Sequence, residues 1–248
     1  MHNRDLAEPG EPLSRKEKQR QATQAEIRST ARRLLVKRGG GAVTINAIAR
    51  RMGLSGPALY RYYPSQAALI EALRADFYSE LIATMQQAGA RSTTGLPGDR
   101  LLATSRALRG WATAHPAEFG WLFASPATAV QPGPRDAAKR DMGQAFGQVF
   151  LEQIVRIWQA KRFPIQSLED MPTVQAEQLR AFSEKIDGLL PPEAAHVFLA
   201  CWMRLYGLLC MEIFRQIDFA YGDMTPVYEE CLRELCQLLD VAYTAPDA

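Results

Sequence analysis

Soft metal ligands are scarce in this chain of 248 residues: it has three histidines and four cysteines, and none of them is grouped. His2, His115 and His196 are scattered, and Cys201, Cys210, Cys231 and Cys236 show no CxxC spacing, so there is no metal-ligand signature. A Gly-rich phosphate loop, a nucleophile elbow and a Glu-x-x-His pair are missing too. These absences weigh against an enzyme and leave no catalytic residue, metal or cofactor to name. The cysteines lie among apolar neighbours in helical patterns, the setting of small core residues in a reducing cytosol, with a redox pair as the alternative. Long apolar runs are missing as well. The most apolar stretch, 197–209, is interrupted by Arg204 and its extension meets Glu212, so a buried helix is expected there and no membrane span. No secretory pattern opens the chain, and a cytoplasmic location is expected. Strand alternation appears nowhere, which points to an all-α fold.

What is present is charge, unevenly placed. Residues 14–64 hold twelve Lys/Arg against two acids, whereas 65–248 hold sixteen against twenty-two. A basic block on a mildly acidic remainder suits a polyanion-binding head. Within that block lies TINAIARRMGLSGPALYRYYPS, residues 44–65. Ile45, Ile48, Ala49 and Met52 make one apolar helical face, Thr44 is a fitting N-cap, and Gly53 permits the positive φ that ends the helix. Ser55 caps a second short helix over about 56–62, with Pro57 in its first turn. Two short helices joined by a tight Gly turn read as a helix-turn-helix. Leu59 and Tyr63 belong to the core side, leaving Gly56, Pro57, Tyr60 and Arg61 outward.

In chain order, residues 1–21 are expected to form a disordered basic arm, and its run Arg15, Lys16, Lys18 and Arg20 is either a solvated charged face at the start of a helix or a reach along phosphates or into a minor groove. A DNA-binding domain follows over 22–88. Its first helix, about 23–38, has the stripe Ile27, Ala31, Leu34 and Leu35, and its fourth, capped by Ser65, has Leu69, Leu73, Phe77, Leu81 and Met85. A linker over 91–98 leads to a helical domain over 99–243. Asp99 is placed to cap its first helix, to about His115, and Pro116 opens the next. Residues 125–136 are loop, 137–161 and 174–186 are helical, and the last two helices run over about 192–217 and 226–242. The fold class is therefore all-α: a three-helix head joined by a fourth helix to a larger ligand-binding and dimerisation domain.

Residues 22–75 resemble the DNA-binding domain of the TetR family of bacterial transcriptional regulators. The likeness rests on a Thr-opened second helix, the IA-x-x-x-G-L-S turn, LYRYY on the third helix and a Ser-initiated fourth. LRGWATAHPAEFGWLFASP (108–126) and the W-x-x-x-Y-G of Trp202 to Gly207 resemble the effector domain called WHG in some members, with Tyr206 standing where those have His. The resemblance implies a homodimer through the last two helices, and the near-continuous apolar surface around 197–209 independently asks for a second buried side. Recognition helices of such a dimer enter major grooves about 34 Å apart and read a near-palindromic operator.

For DNA contact the expected residues are Thr44, Ser55, Gly56, Pro57, Tyr60, Arg61, Tyr62 and Gln66. Tyr60 resembles the family's phosphate-contacting tyrosine, Tyr62 takes a place often held by His, and Gln66 one often held by Lys. Arg61 is the one side chain suited to bidentate guanine recognition, and could equally hold a phosphate. For a small apolar or aromatic effector the expected lining is Trp111, His115, Phe119, Phe123, Phe150, Trp202 and Tyr206, residues that equally suit a core. The function expected is an effector-released repressor. The alternatives are a ligand-independent DNA-binding protein and a helical enzyme.

Overall fold

Alternating stretches of apolar stripe and helix-ending glycine or proline give ten α-helices among the described residues, with no strand. The computed structural model describes residues 14–92, 95–123 and 136–246, with backbone alone for 136–142. Residues 1–13 of the expected arm and the expected loop after Phe123 lie outside the described residues, apart from Asp136. The helices are α1 (Arg15–Arg38), α2 (Ile45–Met52), α3 (Gly56–Tyr60), α4 (Gln66–Arg91), α5 (Asp99–Ala114), α6 (Pro116–Phe123), α7 (Asp136–Ala160), α8 (Thr173–Lys185), α9 (Pro192–Ile213) and α10 (Thr225–Leu238). Two units are distinguished, dividing between Leu73 and Arg74 inside α4 and not at the linker over 91–98.

In the first unit, α1 and α2 pack together and α2 packs on α3. Ile27, Ala31, Leu34, Leu35, Val43, Ile45, Ile48, Ala49, Leu59 and Tyr63 are its buried apolar residues, with Leu69 and Leu73 from α4. The expected α1 stripe is therefore the one buried. Its start is not: α1 begins at Arg15, not near Thr23, so residues 15–21 are helix and no arm. The reason is a capping box. Ser14 Oγ accepts from Glu17 N at 3.3 Å and the Glu17 carboxylate accepts from Ser14 N at 2.9 Å, satisfying two orphan amides at once.

In the second unit, α5 packs on α6, α7 and α9, while α9 also packs on α8 and α10. The α5 contacts rest on two bidentate ion pairs. Arg106 donates to Glu229 at 3.0 and 2.8 Å, and Arg109 to Glu212 at 2.9 and 2.7 Å. Tyr228, buried beneath the Arg109 guanidinium, donates its hydroxyl to Ser105 O at 2.7 Å. These bonds tie α5 to both α9 and α10.

Three expected boundaries shift in this unit. Asp99 is the first residue of α5, not its cap, and its carboxylate accepts from Thr244 Oγ1 at 2.8 Å. Helix α9 ends at Ile213, short of 217, because Arg215 turns into the left-handed region at φ 57° and its Nε donates to Asp218 at 2.6 Å. Helix α10 ends at Leu238, short of 242. Asp240 (φ 49°) reverses the chain, and residues 241–244 fold back on α5, where a Cβ on Gly98 would meet Val241 Cγ2 at 2.9 Å.

By length and composition α9 is apolar enough to cross a bilayer, with a mean hydropathy of 1.4 over its best window. Its Glu212 is paired with Arg109, and α5, α6, α7, α8 and α10 pack around it, so it is the central helix of a bundle.

Candidate nucleic-acid interface

The turn between α2 and α3 is built by backbone bonds that the sequence foretells. Thr44 Oγ1 accepts from Ala47 N at 3.2 Å and starts α2. Gly53 sits at φ 68°, its amide reaching Arg50 O at 3.4 Å, while Leu54 N reaches Ala49 O at 2.9 Å. That is a Schellman ending, which requires a residue at ease with positive φ. Ser55 Oγ then accepts from Ala58 N at 3.4 Å and Ser65 Oγ from Ala68 N at 3.0 Å.

Helix α3 is short, and its outward side is as expected. Leu59 and Tyr63 are buried, whereas Pro57, Tyr60, Arg61, Ser55 and Gln66 are exposed, Tyr60 at 51%. Thr44, Gly56 and Tyr62 are half-buried. Tyr60 and Arg61 are thus exposed donors, and the neighbouring helices α2 and α3 start at capped ends. Gly56 has a second role that sequence reasoning missed: a Cβ there would stand 3.2 Å from Asn46 Oδ1, so the residue also lets α3 approach α2.

Also missed were the bonds that hold α3 from α1. Arg28 Nη1 donates to the Tyr63 hydroxyl at 2.9 Å, and Gln24 Nε2 and Arg20 Nη2 donate to the carbonyls of Tyr62 and Arg61, each at 3.4 Å. No sequence spacing signals these pairs, which join residues 35 to 41 positions apart. Arg50 and Arg51, exposed in the last turn of α2, add to the cationic surface of this unit.

The residues expected around an effector divide into two groups. Phe119, Phe123, Phe150, Trp202 and Tyr206, linked through Phe146, which was not among them, form a run of ring contacts, with Phe119–Phe123 centroids 4.6 Å apart and Trp202–Tyr206 stacked at 5.4 Å. Trp111 and His115 pair with each other at 5.0 Å, and Trp111 Nε1 donates to Glu80 at 2.9 Å. A partly open void of about 10 Å³ is lined by Phe150, Trp202, Leu101, Ile154, Phe198, Cys201, Leu205 and Leu235. It takes in two of the seven expected residues, and at that volume it holds at most one water. Burial raises the Tyr206 phenol well above its usual value, which keeps the hydroxyl protonated. Burial likewise pushes the Cys201 thiol up to about 12 and the Cys236 thiol to about 11. Such thiols are weak nucleophiles at neutral pH.

Comparison with known proteins bears on both units. Residues 27–73 match the family described as bacterial regulatory proteins, tetR family, and residues 101–235 match the tetracyclin repressor-like C-terminal domain. The chain is similar to the HTH-type transcriptional regulators Rv1816 of Mycobacterium tuberculosis (strain ATCC 25618 / H37Rv) and Mb1846 of Mycobacterium bovis. Identity to each is 34% over 115 residues, 46% of this chain and 49% of the relative, so the chain spans about half the length of the curated relatives it matches. Among solved structures it resembles the regulatory protein SCO4313 at 26% identity and a TM-score of 0.70, over 90% of this chain and 98% of that one. A tetR-family regulatory protein from Rhodococcus RHA1 shares the fold, with a TM-score of 0.60, 18% identity and coverage of 88% and 97%.

Proposed function

The chain belongs to the tetR family of bacterial regulatory proteins, a family of transcriptional regulators and not of enzymes, and on that premise we propose that it binds a near-palindromic DNA operator as a homodimer and is released by a small apolar or aromatic effector. The observation that carries the DNA reading is the outward set Tyr60, Arg61 and Gln66 beside the capped starts of α2 and α3, on a unit rich in cations. Thr44 with the first amides of α2, and Tyr60 with its hydroxyl, hold phosphates. Arg61 reads guanine in the major groove, and Gly56, Pro57 and Ala58 offer no side-chain donors, so the rest of the specificity comes from DNA shape and from the spacing of the two heads.

Dimer formation is supported by what α9 and α10 leave uncovered. Met203, Gly207 and Met211 lie along one side of α9, with Met203 64% exposed, and Val227, Cys231 and Leu238 along one side of α10. Leu232, Leu235 and Leu239 of the same chain segment are buried within the chain. Two such stripes facing their symmetry mates make a four-helix bundle.

For the effector, the aromatic run from Phe119 to Tyr206 is the site we favour, with Tyr206 as the polar orienting group. A void of about 10 Å³ must widen to take a drug-sized ligand. An effector that favours the widened body shifts the dimer toward a head spacing unsuited to the operator, and DNA weakens the effector by the same factor. Selection from a random-sequence duplex pool tests the reading. The expected result is enrichment of an inverted repeat. Binding that remains salt-dependent with no enriched sequence would favour the ligand-independent alternative.

A further inference from the structure

Helix α1 opens well before the segment that matches the family. The match begins at Ile27, whereas the helix begins at Arg15 behind the Ser14–Glu17 capping box. Residues 15–26 thus add about three turns to the head. With 3.6 residues per turn, Lys16, Arg20 and Gln24 fall in line with Ile27 and Ala31, which are fully buried. The apolar stripe of α1 therefore gives way, on the same side of the helix, to a polar and cationic one.

Two members of that polar stripe are engaged with the end of α3. Arg20 and Gln24 donate to the carbonyls of Arg61 and Tyr62, and the Tyr63 hydroxyl, which accepts from Arg28, lies 3.5 Å from Gln24 O. Arg61 and Tyr62 are residues by which α3 meets DNA in the reading above, so the overhang is fixed against the reading helix. Ahead of Arg20, the exposed Arg15, Lys16 and Lys18 carry no ion pair among the described residues. The acid between them is turned away: the Glu17 carboxylate is held below its usual range by its bonds to Ser14.

Fold stability does not account for this charge. Lys16 and Arg20 are a like-charge pair at i, i+4, which costs a helix a few tenths of a kcal/mol. Nor can the overhang enter a minor groove, since a helix is about 10–12 Å across and that groove about 6 Å wide. We propose that the first three turns of α1 are a second DNA-binding element, in which Lys16, in line with Arg20, and its neighbour Arg15 lie on phosphates flanking the bases that α3 reads, while Lys18 points from the opposite side of the helix. The inference rests on the DNA-binding reading of the head and adds a surface to it. Its contribution is independent of sequence: it raises affinity and salt sensitivity and leaves discrimination to α3.

The test uses the full chain and a variant with Arg15→Gln and Lys16→Gln together, glutamine being nearly as good a helix former as lysine, and Lys18→Gln on the opposite side of the helix as the control whose slope stays unchanged. Affinity is measured on a pool-selected duplex and on a scrambled duplex of equal length, over roughly 50 to 200 mM salt. The expected slope of log affinity against log salt becomes shallower by about one for each lost phosphate contact, so by one to two per subunit. Affinity falls by the same factor on both duplexes, leaving their ratio unchanged. Lys16→Gln alone gives about half of that change in slope and keeps the test valid if the double variant loses helix content. An unchanged slope in a wild type that binds would overturn this inference alone, even if affinity drops, because a purely structural role moves affinity without releasing fewer counterions. A wild type that binds neither duplex would overturn the DNA reading together with it.

Discussion

The head and the body begin their helices in different ways. In the head, α1, α2, α3 and α4 each start at a serine or threonine whose hydroxyl accepts from an amide three residues on. In the body, α5, α8 and α9 start with no side-chain cap bond, and α10 relies on the Asp223 carboxylate accepting from Thr225 N at 2.9 Å. The body is fastened instead by contacts between residues distant in the chain: Arg109 to Glu212, Arg106 to Glu229 and Tyr228 to Ser105, separated by 103 to 123 positions. Local bonds thus position a small reading surface, while long-range ion pairs fix the arrangement of α5 against the α9–α10 pair.

Removing one such ion pair should have the largest effect. Arg109→Ala strands the Glu212 carboxylate, whose side chain is 13% exposed, and should cost about 3 kcal/mol. All four tryptophans lie between residues 111 and 202, so tryptophan fluorescence in a urea titration reports this loss in the body. A loss no larger than a surface pair's, under about 1 kcal/mol, would show that α5 is not held this way. Tyr228→Phe should follow, leaving the Ser105 carbonyl without its 2.7 Å partner in a buried place, at about 1–2 kcal/mol on the same readout.

In the head, Thr44→Ala should cost about 1 kcal/mol through the lost cap, seen as roughly fivefold faster amide exchange in α2 with little change in tryptophan signal. If the two units share one cooperative transition, both readouts will move together and the contrast drawn above fails.

The smallest effect should be in pH dependence. Burial alone would raise the Glu229 carboxyl, but its bonds from Arg106 and Tyr243 outweigh that and hold it below the usual range. A depressed folded-state value means the contribution is complete above the ordinary Glu value, about 4.3, and is lost as pH falls through the lower one. Glu229→Gln should therefore flatten the acid limb of a stability–pH curve and leave its slope at neutral pH unchanged.

The same contrast explains what was legible in the sequence. Thr44, Ser55, Gly53 and Ser65 act on neighbours within five residues, so their roles follow from residue type and spacing, and the α2–α3 turn is as the sequence predicts. Ser14 and Glu17 also form a local signal, S-x-x-E, which decides for the charged face at the start of a helix and against the arm. The pairs that seat α3 on α1, Arg28 with Tyr63 and Gln24 with Tyr62, depend on tertiary approach and have no spacing rule. In the body, aromatic positions are visible in the sequence but their partners are not. Trp111 and His115 share a four-residue spacing with Phe119 and Phe123, yet α5 ends at Ala114 and the Trp111 indole is committed to Glu80. The breaks after Ile213 and Leu238 come from Arg215 and Asp240, residues that give little hint of a left-handed turn.

The central claim is that the head binds phosphates broadly and reads bases narrowly, through Arg61. Titrating Arg61→Ala and Tyr60→Phe on a pool-selected duplex and on its scrambled counterpart tests this most directly. The account predicts that Arg61→Ala loses about tenfold or more on the selected duplex, the worth of one bidentate base contact, and much less on the scrambled one, while Tyr60→Phe weakens both by the same factor. Equal losses on the two duplexes for Arg61→Ala would contradict it.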